Sequence, residues 1–152
     1  MTHDPDSPLP PPPPRISVEP DAPASARQII EDAINEGNMV ITGVREYWPV
    51  AIFLRGQDDE ILGGVLGDIW GGWLHVSFLW VAEELRGRGH GTALLRQAEA
   101  YALARGCANA YLETHSFQAR PFYEKLGYEV FGTLEAFPPG HAKYFLRKRL
   151  SA

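Results

Sequence analysis

Val81-Ala82-Glu83-Glu84-Leu85-Arg86-Gly87-Arg88-Gly89-His90-Gly91-Thr92 is the stretch that decides how this chain is read. It starts at the end of an apolar run, Leu74 to Val81, that predicts a strand. It ends where Thr92 to Arg105 takes helical spacing, with Leu94, Ala98, Tyr101 and Ala102 on one face and Gly106 as the stop. A strand, a short polar link, a glycine-rich turn and a helix start leave main-chain N–H groups free to point outward. The first helical turn has unpaired donors and carries the positive end of the helix dipole, so such a turn binds phosphate. A phosphate-bearing cofactor is therefore expected.

The spacing narrows the choice. Gly87, Gly89 and Gly91 give G-x-G-x-G, not the G-x-G-x-x-G of a dinucleotide turn. No lysine is present in this segment, as a G-x-x-x-x-G-K-S/T phosphate loop requires. What fits is R-x-x-G-x-G, formed by Arg86, Gly89 and Gly91 after Leu79-Trp80-Val81 and Glu84. That pattern resembles the pyrophosphate-binding turn of the GNAT superfamily of acyl-CoA-dependent N-acetyltransferases. Further on, Ala119-Arg120-Pro121-Phe122-Tyr123-Glu124-Lys125-Leu126-Gly127-Tyr128 resembles the second signature of that family, A-x-x-F-Y-E-K-L-G-F/Y. The two motifs stand in the family's order and separation, and the resemblance runs from about Ile16 to Leu150.

Composition predicts a soluble globular protein and argues against other classes. The chain has 152 residues, of which 45% are hydrophobic and 22% charged, enough for one cored domain. The formal net charge of −5 argues against a nucleic-acid partner. No run approaches the ~20 apolar residues of a membrane span, and the N-terminus lacks a signal pattern, so no membrane association and a cytoplasmic location are expected. Cys107 is the single cysteine and follows Gly106, which predicts burial as a small hydrophobe.

Met1 to Pro14 holds seven prolines and reads as a disordered tail, leaving 15–152 as a single N-acetyltransferase-like domain. Arg15 to Glu19 alternates and is a candidate first strand; Met39 to Val44 is short and ambiguous. Asp21 is placed to cap a helix carrying Ala26, Ile30, Ala33 and Ile34 on one face, ended by Gly37. Pro49 to Arg55 and Ile61 to Asp68 read as a hairpin, and Trp73 to Val81 as the longest strand. Ala110 to Thr114, Tyr128 to Thr133 and Ala142 to Arg149 read as further strands, with a short helix over Ala119 to Leu126. The order predicts an α+β fold. The resemblance implies a central, mostly antiparallel twisted sheet of six to seven strands, about four flanking helices and a splayed cofactor-binding strand pair.

The same resemblance implies acetyl-CoA as acyl donor and direct transfer to an amine. Gly87, Gly89 and Gly91 let the backbone close on a diphosphate; Arg86, Arg88 and the Thr92 hydroxyl add donors, and His90 contributes through its main chain. By position, the backbone of Leu79, Trp80 and Val81 would pair with the pantetheine arm and polarise the thioester. The rings of Trp73 and Trp80 read equally as core aromatics. Tyr123 matches the tyrosine that serves as general acid in many members. Ser116 stands where the family often has asparagine, so Ser116 and Gln118 are the residues left to bond the cofactor arm. The general base stays open among Glu113, His75 and His115. Glu83 and Glu84 read as solvated. The histidines lack metal-ligand spacing, and no metal is expected.

The acceptor is not written in the sequence. Tyr47, Trp48, Phe137, Pro138 and Pro139 can wall an acceptor site or simply pack. A homodimer through the last strand or a sheet edge stays open. The competing reading is a non-catalytic acyl-CoA-binding module on the same fold, motivated by Ser116 and the undecided base.

Overall fold

The computed structural model describes residues 11–151, and the expectations for Met1 to Pro10 lie outside them. Two compact units divide at Gly43 and Val44.

In the first unit, residues 11–19 have no regular structure, so the strand expected over Arg15 to Glu19 does not form. Alternation makes a strand only where a neighbour supplies the ladder. Helix α1 spans Ala24–Thr42 with Pro23, not Asp21, at its N-cap. It runs through Gly37, and the segment around Met39 is helical. A glycine inside a helix costs only ~1 kcal/mol, which its helix-forming neighbours offset. The stop is Gly43, whose φ of 71° admits the left-handed conformation and whose N–H donates to the Met39 carbonyl at 2.9 Å.

The second unit is a six-stranded mixed sheet. Strands β1 (Tyr47–Arg55), β2 (Ile61–Trp70) and β3 (Trp73–Val81) form an antiparallel meander. Helix α2 (His90–Leu103), β4 (Asn109–His115), α3 (Arg120–Lys125), β5 (Glu129–Glu135) and β6 (Ala142–Arg149) follow. The sheet order is β1-β2-β3-β4-β6-β5, with β3 and β4 the one parallel pair. The resemblance implied about four helices; the described residues hold three α-helices, plus 3-10 turns at Gln57–Asp59 and Glu83–Leu85. Tyr47 and Trp48, expected on a loop, begin β1. No described helix is long and apolar enough to cross a membrane.

Burial alternates as a half-covered sheet requires. Leu74 and Val76 of β3, with Ala110 and Leu112 of β4, face the core, while Trp73, His75, Tyr111 and Glu113 face the other way. The core is closed by Leu94, Leu95, Ala98 and Ala102 of α2 and by Leu146 of β6. Each such buried leucine contributes about 1.5–3 kcal/mol. Cys107 is buried as expected, and that burial pushes its thiol pKa up.

One irregularity shapes the sheet. Between β2 and β3 the register passes from Leu66↔Phe78 to Gly67↔Val76, so Ser77 has no partner and forms a bulge. Gly67 is required there, because a Cβ would run into the His75 carbonyl oxygen. Pairing of β3 with β4 stops at the same level, at Val76↔Leu112, while β4 goes on pairing with β6 to His115. The expected splayed pair is therefore present: among the described residues, no strand lies on the β4 side of the outer half of β3.

Behind α2 is a buried polar group. Lys148 Nζ lies 2.7 Å from Glu99 Oε2 and 5.5 Å from the Tyr128 ring centre. The Tyr128 hydroxyl is enclosed and makes no hydrogen bond among the described residues. Burial first, then the Glu99 charge and Tyr123, push its pKa above the ordinary phenol value. Tyr128→Phe should stabilise the protein by about 1 kcal/mol at neutral pH, since an unmet buried hydroxyl is removed. Above about pH 10 the unfolded chain releases the Tyr128 proton and the folded chain keeps it. The unfolded state then binds fewer protons, so stability falls as pH rises. Thermal melts at neutral pH and about pH 11 should show the variant's advantage growing with pH.

Candidate active site

The open edge of β3 is the starting point. The Ala82 N–H donates to the Leu62 carbonyl at 2.8 Å, and the register sets Trp80 opposite Gly64 and Phe78 opposite Leu66. Hydrogen-bonded pairs alternate along an antiparallel ladder, so the main chains of Phe78 and Trp80 face β2. Those of Leu79 and Val81 face the gap. This corrects the expectation for Trp80, whose backbone belongs to β2 and whose ring is half exposed.

Arg86 also ties the turn together and keeps its terminal N–H groups unused among the described residues. Its Nε donates to the Val81 carbonyl at 2.9 Å, so that nitrogen ties the turn to the strand and is not free for phosphate. Gly87 and Gly89 have φ of 74° and 87°, which side-chain-bearing residues rarely adopt. Helix α2 begins at His90, two residues before the expected Thr92, and Gly89 is its N-cap without a side-chain bond. The N–H groups of His90, Gly91 and Thr92 therefore lack intrahelical partners and point into the turn. Arg88 is exposed and forms no ion pair among the described residues. Gly91 lies beside the second motif: a Cβ there would stand 3.4 Å from Phe122 Cζ, in van der Waals contact.

Tyr123 sits in α3 with 8% of its surface exposed, edge-on to Phe122 (5.1 Å) and Tyr128 (5.9 Å). Burial raises its pKa, and its hydroxyl has no hydrogen bond with a described residue. A protonated, unengaged phenol is what a proton donor requires. The two stand-ins for asparagine are occupied. Ser116 Oγ accepts from the Ala142 N–H at 3.1 Å and lies 3.4 Å from His141 Nδ1, closing β4 onto β6. Gln118 Oε1 accepts from the His115 N–H at 2.9 Å. Only the amide nitrogen of Gln118 is left for a cofactor arm.

The candidate bases do not stay separate. His75 Nε2 and Glu113 Oε2 are 2.9 Å apart, joining β3 to β4 where the two strands part. Both side chains are 24% exposed, enough for a substrate to reach. His115 stands apart, stacked on Phe117 (5.1 Å) and Phe137 (5.5 Å). Two residues absent from the sequence reading complete the surroundings. Tyr111 stacks on His75 at 4.5 Å and 9°, and Asp68 Oδ1 lies 3.8 Å from His75 Nδ1. Their signal was the alternation of β2 and β4, unusable without the register.

A glycine-rich turn at a helix start, an open strand edge, an unengaged phenol and a histidine–carboxylate pair thus lie in one unit. The sequence profile of the Acetyltransferase (GNAT) family matches residues 19–128. The chain belongs to the GNAT acetyltransferase family. A blasticidin-S acetyltransferase of Streptomyces morookaense is 37% identical over 113 residues, covering 72% of this chain and 83% of that protein. A crystal structure of an acetyltransferase from Agrobacterium tumefaciens superposes with a TM-score of 0.84 at 32% identity, covering 89% of this chain and 98% of that one. The fold is also that of a streptothricin acetyltransferase structure from Bacillus anthracis solved with acetyl coenzyme A. There the TM-score is 0.59 at 19% identity, over 66% of this chain and 62% of that one. This GNAT protein is thus an acyltransferase, which sets aside the reading as a non-catalytic module.

Arg86→Ala combined with Gly89→Glu should abolish CoA binding in isothermal titration with the far-UV circular dichroism unchanged. Binding retained by the double variant would show that the turn is not the cradle.

Proposed function

We propose that this GNAT protein transfers an acetyl group from acetyl-CoA to a primary amine of a small molecule or peptide, by direct attack within a ternary complex. The observation that carries the reading is the His75–Glu113 pair at the point where β3 leaves β4. There an acyl group entering along the open edge would meet an amine.

The residues divide the work. Main-chain N–H groups from Gly87 to Thr92, with Arg88, bind the diphosphate. The Leu79 main chain and the Val81 N–H, whose own carbonyl is taken by Arg86, face the pantetheine arm, and an N–H there stabilises negative charge developing on the thioester oxygen. The His75–Glu113 pair takes a proton from the acceptor's ammonium, exposing the lone pair that attacks the carbonyl carbon. The C–N bond forms, the C–S bond breaks, and the thiolate takes its proton from the Tyr123 phenol; the acylated nitrogen releases its surplus proton to water, which reprotonates the Tyr123 phenolate. A phenol of ordinary pKa about 10 gives its proton to a thiolate of about 8.5 only at close range. The Gln118 amide nitrogen is the side-chain donor left for the arm.

The relative named for blasticidin S makes that compound the first acceptor to try. A thiol-release assay with acetyl-CoA should show turnover above hydrolysis with blasticidin S, a polyamine, an aminoglycoside or a lysine peptide. With the acceptor so found, Tyr123→Phe should lower kcat by about 100-fold or more, while acetyl-CoA affinity stays the same. Equal turnover in the two proteins would remove Tyr123 as the acid.

A further inference from the structure

Asp68 on β2, His75 on β3 and Tyr111 on β4 are direct cross-strand partners. Each is flanked along its strand by core-facing positions, so the three stand in one row on the face opposite α2. Glu113 follows Tyr111 by two residues and shares that face. The His75 ring is thereby held on three sides. Glu113 is at Nε2 (2.9 Å), Asp68 is near Nδ1 (3.8 Å), and Tyr111 is stacked against the plane (4.5 Å, 9°). Tyr111 is backed in turn by the edge of Trp73, with centroids 6.0 Å apart.

We propose that Asp68 is a positioning residue for the His75–Glu113 pair, holding the Nδ1 edge of the ring so that the Nε2 N–H is aimed at Glu113. This rests on the reading of that pair as the base. A gap of 3.8 Å is too long for a hydrogen bond, so the link is charge on charge. An anion beside Nδ1 stabilises the imidazolium that forms when the pair takes up the substrate's proton. Every other charged or titratable group around the ring fits this division. Tyr47, from β1, is turned toward Asp68; burial, then the Asp68 charge and a hydrogen bond to it, raise the phenol's pKa. Tyr111 is likewise pushed up, by burial and then by the charges of Asp68 and Glu113, and stays neutral. Arg147 of β6, opposite Tyr111, is drawn away by Glu129 at 3.0 Å. No cation among these groups competes for Asp68.

The test uses the full chain and reads the ring directly. Histidine-ring 15N–1H NMR at one fixed pH follows the His75 signals in the wild type and in Asp68→Asn, which keeps the shape and removes the charge. The Nε2 signal, set by the contact with Glu113, should change in the variant, because the Nδ1 edge of the ring is no longer held. In parallel, turnover with acetyl-CoA and blasticidin S should fall about tenfold in kcat, with KM for acetyl-CoA unchanged. Asp68→Ser repeats both measurements if the first variant melts early.

An unchanged Nε2 signal would overturn the proposal whatever happens to turnover, since a merely structural aspartate lowers kcat without changing the ring. A changed signal with unchanged kcat would overturn it as well. If blasticidin S is not turned over, kcat is read with the amine that the thiol-release assay identifies. Wild-type turnover in both His75→Ala and Glu113→Gln would overturn the base pair itself. Loss of turnover there, with Asp68→Asn at full rate, would overturn Asp68 alone.

Discussion

The bulge at Ser77 is the constraint on which the rest depends. A fully paired β3 would spend every backbone group on β2 and β4 and leave no edge for a substrate arm. The unopposed residue alters the course of β3 at the level where its parallel ladder with β4 ends, after Val76 and Leu112. Gly67 makes the close approach possible, because the His75 carbonyl occupies the space of its missing side chain. The residue that shapes the gap thus lies one strand away from it, beside Asp68.

The two faces of the sheet carry different duties. On one, α2 covers an apolar layer from Val50 to Leu146 and presents its N-terminus beside the open edge. Phe122 of α3 lies beside Gly91 at that helix start, so the glycine-rich turn and Tyr123 are neighbours on this side. On the other face, alternation brings Asp68, His75, Tyr111 and Glu113 together without disturbing the core. The proposed proton acceptor, on β3 and β4, and the proposed donor, on α3, are thereby built on separate supports.

Two polar arrangements show how a departure from the family pattern is absorbed. Ser116 has too short a side chain to act as the asparagine it replaces, and its hydroxyl instead secures Ala142 of β6. Gln118 folds back onto the His115 N–H and retains only its amide nitrogen for outside use. Arg86 is similar: the first residue of the glycine motif anchors the turn to Val81. In each case a side chain expected to meet a ligand first satisfies a backbone group, because an unmet donor or acceptor at a strand end is costly.

What the sequence alone determined is local. Positive φ at Gly87 and Gly89, the helix start after them and the period-2 apolar runs of β3 and β6 follow from residues within a few positions of one another. The two signature motifs, and with them the family and Tyr123, were legible for the same reason. Tertiary structure decided everything that depends on register. Which of Leu79, Trp80 and Val81 faces the gap is a matter of parity, and one residue of slip reverses it. His75 and Glu113, 38 positions apart, become a pair only when β3 lies beside β4. Asp68 was unremarkable until β2 set it opposite His75. Arg15 to Glu19 failed as a strand for the converse reason, since alternation proposes a strand and a neighbour's free N–H and C=O groups make one.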